Sequence, residues 1–507
     1  MTPIRTLLRH TSHYAGGRVA IMLLGFASFP IFTRVFSVAD YAALSLIQSA
    51  ILVLTVVAKF GFQNSVQRYY TDYAASSDSL AFRRYYSTLF FGTALLALAV
   101  TAAFIGAVAL GLGRFLGMAA TGTLLVAGLL ILVRALRSMQ LNLLQMDGKT
   151  KLYNAIDILQ KAAGIGIIIL LLLFWRRSIA ACFIGMVAAE LAVLLHYVPV
   201  LARRGLLSPG LFDVTFLRAA VAFSFPLMVS EISWVALAAG DRFFVQHYLG
   251  LVPVGYYAAA CGIAVYAQEA VTKPLDLSFF PVCMKLWAAK GREATQEFLT
   301  RSLSGFVMVA VLVVAVTALT AREVIVILAS SKYQEARSLL PYLIGGLLLS
   351  AMSIFFRPGL MIHHRAGKIA RATFFASLLN VVLNIALLPR LGLTGAAIAN
   401  VLSFLGMAIY TGVESMRLLP FRIEWLALVR YATAGGAAFW IVSLISIENP
   451  VAGALVRALS VFIVYLAILW LIDARMREIV RRVTSLAGWD RRQPAEQPVQ
   501  ALPLTVE

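Results

Sequence analysis

The order of apolar and polar residues divides this chain into fourteen apolar stretches, each long enough to cross a membrane. They lie near residues 15–34, 40–60, 86–112, 116–137, 153–174, 179–200, 217–239, 253–277, 300–320, 339–357, 370–389, 394–414, 428–447 and 453–472. The hydrocarbon core of a bilayer is about 30 Å thick, which takes roughly 20 helical residues to span. The pattern therefore predicts an all-α polytopic membrane protein with about 14 transmembrane helices.

The composition excludes a soluble globular protein. Of the 507 residues, 61% are hydrophobic and 13% are charged, and the mean hydropathy is +0.87. Soluble domains carry about 25% charged residues. The net charge of +20 lies mostly between the apolar stretches, where anionic lipid headgroups attract it, so it does not indicate nucleic-acid binding.

The distribution of basic residues predicts the orientation in the membrane. Counted with the adjoining helix ends, 30 of the 43 Lys and Arg residues lie on the side of the N-terminus, and 10 lie on the opposite side. Cytoplasmic loops are enriched in Lys and Arg. The bias places both termini in the cytoplasm, which agrees with an even number of helices.

A weak internal repeat suggests how the helices are grouped. The run Val38–Ala43 after the first stretch resembles Val254–Ala259 after the seventh, and a lysine follows each run at a similar distance. Repeats of this kind are typical of secondary transporters. We expect a cytoplasmic N-terminus (1–14), an N-lobe of helices 1–6 (15–203) and a C-lobe of helices 7–12 (204–415). Helices 13 and 14 (416–472) follow. The cytoplasmic tail (473–507) is expected to be basic and amphipathic at first and then disordered.

The loops are too short to form a separate domain. The longest segment on the outer side, Ala321–Pro341, has about twenty residues. We find no sequence motif of an enzyme or of a protein metal site. We therefore expect a protein that is not an enzyme and whose function is performed by the helices themselves.

Basic residues inside the apolar stretches are the first candidates for binding. A charge at the centre of a membrane helix costs at least about 2.5–3.5 kcal/mol, so it is seldom present without a function. Arg18, Lys59, Lys161 and Lys273 could together face a basic cavity that is open to the cytoplasm. Arg18 and Lys59 could instead extend towards the headgroups. Such a cavity would bind a diphosphate, which offers several charged acceptors at once.

Acidic residues inside the stretches are candidates for ion coupling or gating: Asp157, Glu190, Glu231 and Glu269. Asp157 precedes Lys161 by four residues and Glu269 precedes Lys273 by four, which is the favourable order for a pair on one helix face. The pairs could therefore neutralise each other and serve packing alone. A buried carboxylate without a partner could instead take up a coupling cation, H⁺ or Na⁺.

Several short motifs, in a specific order, resemble those of Wzx-type oligosaccharide flippases, the polysaccharide-transport branch of the MOP superfamily. Those motifs are Arg34–Tyr41, Gly61–Phe62, Val66–Tyr69, Asp241–Arg242, Val254–Ala258, Phe280–Val282, Tyr333–Ala336, Asn380–Asn384 and Leu388–Ala399. The resemblance extends over roughly residues 10–420. It implies a MATE-like fold of two six-helix lobes with two further C-terminal helices.

The resemblance also implies a function. Proteins of this kind move an undecaprenyl-diphosphate-linked oligosaccharide from the inner to the outer leaflet of the bacterial cytoplasmic membrane, for O-antigen or exopolysaccharide biosynthesis. A polysaccharide polymerase and export machinery are then possible partners. Two alternatives stay open, a cation-coupled multidrug antiporter of the same superfamily and a lipid II flippase.

Overall fold

The computed structural model describes residues 3–74, 79–111, 113, 121–445, 447, 449–474 and 476–478. Within these ranges, the side chains of residues 3–18, 79, 273 and 277 are not described. The beginning of the predicted fourth span, at 116–120, and the tail beyond residue 478 lie outside the described residues.

All regular structure in the described ranges is helical. Fifteen α-helices follow one another as α1 Pro3–Val35, α2 Val38–Lys59, α3 Phe62–Ala74, α4 Ser79–Ala109, α5 Thr121–Met146, α6 Thr150–Phe174, α7 Ile179–Arg203, α8 Val214–Ala239, α9 Asp241–Leu249, α10 Leu251–Leu328, α11 Leu340–Ile362, α12 Gly367–Leu391, α13 Leu393–Met416, α14 Trp425–Ser443 and α15 Pro450–Ile472. Two short 3₁₀ helices, Pro209–Leu211 and Ser331–Ser338, precede α8 and α11.

The helices confirm the predicted number of membrane crossings. Twelve described helical segments are long and apolar enough to span a bilayer, and Val19–Val35 of α1 is a shorter apolar segment. Helix α10 has 78 residues, about 117 Å at 1.5 Å per residue, which is too long for one crossing. Its backbone leaves helical geometry at Gly291 (φ 73°). Two spans therefore meet at this glycine, and the described chain contains fourteen crossings.

Two breaks between consecutive helices lie at the ends of the predicted spans 40–60 and 217–239. Helix α2 ends at Phe60 in left-handed geometry, and Gly61 follows with φ 71°. A Cβ at Gly61 would lie 2.8 Å from the carbonyl oxygen of Ser224 on α8, so only glycine allows this approach. Helices α8 and α9 meet at Gly240, and this second break places Asp241 at the start of a new helix.

Small residues bring the helices around the molecular centre close together. A Cβ at Gly185 of α7 would lie 2.5 Å from Cγ1 of Ile168 on α6. A Cβ at Gly255 of α10 would lie 2.4 Å from the carbonyl oxygen of Val38. The second contact joins the starts of α2 and α10, which carry the two copies of the internal repeat.

Candidate binding cavity

A polar cavity of about 410 Å³ lies between helices α1, α2, α5, α6, α7, α9 and α10. Its wall is formed by one aromatic side and one charged side. Phe29, Phe32, Tyr41 and Tyr266 contribute the aromatic side, from α1, α2 and α10. Because these helices are far apart in the sequence, the cavity exists only in the folded chain.

Three cationic side chains and one carboxylate line the charged side: Arg134 of α5, Lys161 of α6, Glu190 of α7 and Arg242 of α9. The formal charge of this lining is therefore +2. In a site enclosed by apolar helices, charge is screened far less than in water. The cavity favours an anionic ligand.

Glu190 is neutralised by neighbouring arginines. Its side chain is 5% exposed, and Oε1 accepts a hydrogen bond from Nε of Arg134 at 3.0 Å. Nε of Arg137 lies 3.9 Å from Oε2. Arg137 also donates through Nη1 to Oδ1 of Asp157 at 3.3 Å and to Oε1 of Gln160 at 2.6 Å. This network fixes Arg134 at the cavity wall.

Lys161 has no such partner. Among the residues that the structure describes, no hydrogen bond or ion pair to its ammonium group is formed. Asp157, one turn earlier on α6, pairs with Arg137 instead, so the predicted pairing of Asp157 with Lys161 is not formed. The Lys161 side chain is exposed to the space between the helices. Its three N–H donors are available to a ligand.

Arg242 is positioned by the helix on the opposite wall. Its Nη1 donates to Oγ of Ser49 on α2 at 3.0 Å, while its Nε is buried with no hydrogen-bond partner in the described structure. The guanidinium therefore spans from α9 to α2 and lies in the cavity lining. Its positive charge would attract an oxyanion in the cavity.

Lys59 and Glu231, two further predicted residues, pair with each other. Nζ of Lys59 lies 2.8 Å from Oε1 of Glu231, and Nε2 of Gln63 donates to Oε2 at 2.8 Å. The three residues join α2 and α3 to α8, and none of them lines the cavity.

The remaining predicted residues are less informative. Glu269 lies half-buried on α10, one turn after Tyr266, and is not among the lining residues. The side chains of Arg18 and Lys273 lie outside the described part of the structure, so their assignments stay predictions.

A second polar cluster surrounds Asp241, which is 2% exposed. Its Oδ2 accepts hydrogen bonds from Tyr257 at 2.6 Å and from Nδ2 of Asn400 at 3.3 Å, and its Oδ1 accepts one from Nδ2 of Asn384 at 2.8 Å. Asn384 also donates to Oδ1 of Asn380 at 3.0 Å. No Lys, Arg or His in the described chain lies within ion-pair distance of Asp241. Its negative charge is thus solvated only by neutral donors.

Two amide oxygens of this cluster are buried without a hydrogen-bond donor, Oδ1 of Asn384 and Oδ1 of Asn400, and Nδ2 of Asn380 is also unpartnered. Buried polar atoms are nearly always hydrogen-bonded, so each exception needs an explanation. Asn384 and Asn400 present Nδ2, not Oδ1, to the carboxylate. If the two amides turned over, their oxygens would face the carboxylate, and a carboxylate with amide oxygens is the type of ligand set that hard cations prefer.

Four of these residues are not among the candidates that the sequence pattern indicates: Arg134, Arg137, Asp241 and Arg242. Arg134 and Arg137 lie near the end of a predicted span and contribute to the charge bias, and Asp241 and Arg242 belong to a motif without an assigned role. The available signal is the three-residue spacing of Arg134 and Arg137, which places both on one face of a helix.

The arrangement of helices is similar to that of two membrane proteins of known structure. The fold overlays on an inward-closed structure of the lipid II flippase MurJ with a TM-score of 0.76, 14% identity, and coverage of 92% of this chain and 99% of that one. An inward-facing multidrug-resistance MATE transporter of the MOP superfamily gives a TM-score of 0.58 at 15% identity, over 78% and 97%. At such identities the likeness shows the fold, and it confirms the expected MATE-like architecture.

Sequence comparison identifies the protein family more narrowly than the fold does. Residues 7–287 match the model of the family described as polysaccharide biosynthesis protein, which is more than half of the chain, so the chain belongs to this family. A curated relative is the probable low-salt glycan biosynthesis flippase Agl15 of Haloferax volcanii, which is 24% identical over 173 residues. That match covers 34% of this chain and 35% of the relative, so the chain matches about a third of that protein's length.

Proposed function

We propose that this protein is a flippase for a lipid-diphosphate-linked oligosaccharide. It moves an undecaprenyl-diphosphate-linked repeat unit from the inner to the outer leaflet of the bacterial cytoplasmic membrane, for surface polysaccharide biosynthesis. Both termini lie in the cytoplasm, and a polymerase with its export machinery takes up the product. Support comes from the family, from the flippase named as a relative, and from the cavity.

The cationic cavity is the observation that carries this proposal. Among the described residues the Lys161 ammonium group has no hydrogen-bond partner, Arg242 is held in the lining by Ser49, and Arg134 has its orientation fixed by Glu190. A diphosphate presents several charged acceptors to such donors, and charge-assisted hydrogen bonds are about twice as strong as neutral ones. The lipid chain would remain in the bilayer while the polar head enters the cavity.

The same residues argue against a multidrug antiporter. A cavity for cationic drugs needs a carboxylate that is not already neutralised. Glu190 is the carboxylate at this wall, and it is bound by Arg134 with Arg137 nearby. A cationic drug would also meet the charges of Lys161 and Arg242.

Transport by alternating access requires two states of similar free energy that contact the ligand differently. We propose an N-lobe of α1–α7 and a C-lobe of α8–α13, with α14 and α15 appended. The charged wall belongs mainly to the N-lobe, and Arg242 reaches it from the C-lobe. A bound diphosphate would screen the repulsion between Arg242 and the N-lobe cations and so favour a closed cavity.

The test is the location of the lipid-linked oligosaccharide after deletion of the gene. Spheroplasts are labelled with a membrane-impermeant sugar probe, and the same probe is applied after lysis. We expect complete lipid-linked units to accumulate in the inner leaflet, where the probe labels them only after lysis. We also expect surface polymer to be lost. Restoration by the wild-type gene is the control.

Two other outcomes would replace the proposal. Normal surface polymer with altered sensitivity to cationic drugs would indicate the antiporter. Accumulation of peptidoglycan precursors on the inner face, with unchanged polymer precursors, would indicate a lipid II flippase.

We further propose that the Asp241 cluster takes the coupling cation. Asp241 would hold it together with Oδ1 of Asn384 and Oδ1 of Asn400, after both amides turn over from the arrangement in which Nδ2 donates to the carboxylate. The cation would supply positive charge to a carboxylate that has no ion-pair partner among the described residues. By contrast, Glu190, Glu231 and Asp157 are already ion-paired. The coupling role predicted for these three residues is therefore better assigned to Asp241.

Thermal unfolding of the purified protein tests the cation site. A ligand that binds only the folded state stabilises it by about 1.4 kcal/mol at tenfold its Kd. We expect NaCl to raise the Tm above that in choline chloride of equal ionic strength, and Asp241→Asn to abolish the difference. If the Tm of the wild type responds to pH but not to Na⁺, the coupling ion is a proton. Equal responses of wild type and variant would refute the site.

A further inference from the structure

Three motifs that the sequence analysis noted, but that the cavity does not explain, converge on the membrane side opposite the N-terminus. They are Arg34–Tyr41 at the junction of α1 and α2, Val254–Ala258 near the start of α10, and Tyr333–Ala336 in the 3₁₀ helix that follows α10. We call the contacts among Arg34, Tyr41, Tyr256, Lys332 and Tyr333 the far-side clasp.

Two cations in the clasp cap each other's helices. The last carbonyls of a helix lack intrahelical donors and lie at the negative end of its dipole. A cation there donates hydrogen bonds to these carbonyls and also interacts favourably with the dipole. Arg34, at the end of α1, donates through Nη2 to the carbonyl of Ile327 at 2.6 Å and through Nη1 to that of Leu328 at 3.5 Å, at the end of α10. Lys332, just after α10, donates to the carbonyl of Arg34 at 3.1 Å and to that of Phe36. The exchange joins the two helix ends.

Aromatic side chains fill the space beside this exchange. Tyr333 is fully buried, and the rings of Tyr41 and Tyr256 meet it edge-on at centroid distances of 5.8 and 6.5 Å. Tyr41 also lines the cavity. The clasp therefore lies directly over the cavity and shares a side chain with its wall.

The backbone of the clasp is both close and strained. Gly255 lies so near Val38 that no side chain fits between them. Ser330, between α10 and Lys332, has φ 104° and ψ 157°, a conformation that is nearly restricted to glycine. Non-glycine residues keep such geometry only where surrounding contacts impose it. The contacts of Lys332 and Tyr333 do so here.

We infer that the far-side clasp is the gate that closes the cavity on the side opposite the N-terminus. The gate opens when Arg34 and Lys332 leave the two helix ends, which frees four carbonyls to water and lets Ser330 return to an ordinary conformation. Opening thus exchanges cation–carbonyl contacts for hydration and relief of strain, so neither state is strongly favoured. This inference rests on the proposed transport function for its role, but its geometry can be tested separately.

The test measures access to the cavity from the far side. Ser45, which lines the cavity, is replaced by Cys in a protein whose three native cysteines are changed to Ala. The rate of labelling by a membrane-impermeant maleimide is measured in intact cells and in inside-out vesicles. The clasp variants are Arg34→Ala and Lys332→Ala, and the matched control is Arg337→Ala, which removes an exposed cation from the same 3₁₀ helix.

We expect each clasp variant to raise far-side labelling at least tenfold and the control to leave it unchanged. Ser330→Gly should slow far-side labelling, because glycine adopts the closed backbone without strain. This opposite direction separates gating from general loosening of the fold, which would accelerate labelling in every variant. Unchanged labelling in both Arg34→Ala and Lys332→Ala, or faster labelling in Ser330→Gly, would overturn the gate.

The gate and the proposed function can fail independently. If deletion of the gene leaves surface polymer intact, the flippase proposal fails, while labelling still reports whether the clasp closes the cavity. The clasp variants could leave the labelling rate unchanged while deletion of the gene traps the oligosaccharide inside. That result would support the flippase function and place the gate elsewhere.

Discussion

Lys161 shows how one residue can define the ligand of a cavity. It lies within a membrane helix, yet no described carboxylate accepts a hydrogen bond from it. A membrane-embedded cation without a partner is costly. A ligand anion would offset that cost, which makes this lysine the most informative residue of the cavity.

We predict that Lys161→Ala lowers surface polymer at least tenfold at equal protein level, because the cavity loses its free donors. Lys161→Arg should keep part of the activity, since it retains the charge. Lys290→Ala, which removes an exposed lysine of α10, is the control and should have no effect. Polymer would be measured by a complementation assay in the deletion strain. Full activity of Lys161→Ala would exclude the cavity as the diphosphate site.

At the scale of helices, close packing between α6 and α7 places Lys161 and Glu190 on the same wall. Gly185 and Ile168 are in contact, and Gly164 faces Ala189, where a Cβ would lie 3.4 Å from the Cβ of Ala189. The helix axes can approach only because these residues are small. The position of the charged wall therefore depends on a glycine that carries no chemistry of its own.

We predict that Gly185→Val destabilises the fold by about 1–3 kcal/mol, the usual cost of overpacking. Gly166→Ala is the matched control, because a Cβ at Gly166 of α6 would meet nothing within 4 Å. It should leave the protein unchanged or slightly more stable, as alanine is the better helix former. Thermal unfolding in detergent measures both. Equal melting temperatures for the two variants would contradict the packing argument.

Helix α15 is attached to α10 by a buried ion pair. Nη1 of Arg457 lies 2.6 Å from Oε1 of Glu323, whose side chain is 7% exposed, and Nε of Arg457 also donates to the carbonyl of Ile445. Removing one member of a buried pair leaves an uncompensated charge. This contact joins an apolar cluster of α10, α14 and α15 in holding the appended helices.

We predict that Arg457→Met destabilises the protein by about 3–5 kcal/mol, and that adding Glu323→Gln recovers most of the loss. The recovery follows because the neutral amide no longer needs a counter-charge. A double-mutant cycle of unfolding temperatures measures the coupling. Additive effects of the two substitutions would show that the pair does not act as a unit.

At the scale of the whole molecule, the net charge of +20 and the fourteen crossings together predict the membrane topology. The helices alternate in direction, so the junctions at Val35, Phe174, Leu249 and Leu391 share one side of the membrane. The basic bias predicts that this side is the outside.

We predict that a fluorescent protein fused after residue 507 is fluorescent in the cytoplasm, whereas alkaline phosphatase fused at Gly392 is active outside. The physical reason is the retention of Lys- and Arg-rich loops on the cytoplasmic side. The same phosphatase fused at His364, in the loop between α11 and α12, serves as the control and should be inactive. The reverse pattern would invert the proposed direction of transport.

The sequence by itself determined the membrane-spanning helices and their number. The reason is that each span needs about 20 apolar residues in its own segment of the chain. Each predicted span overlaps a described helix, and the break at Gly291 that separates two of them falls between predicted spans. The sequence also indicated Lys161 and Glu190 as residues of the interior, since a charge within an apolar run is visible without any contact.

Only the tertiary structure decided which charges are free. Glu190 is neutralised by Arg134, 56 positions away, Glu231 by Lys59, 172 positions away, and Asp157 by Arg137 rather than by Lys161 on its own helix. Arg242 of α9 lines the same cavity as Arg134 of α5, and the clasp joins Arg34 to Lys332, 298 positions away. Which charges pair depends on electrostatic energies between side chains of different helices. Those energies depend on distances that the local sequence does not contain.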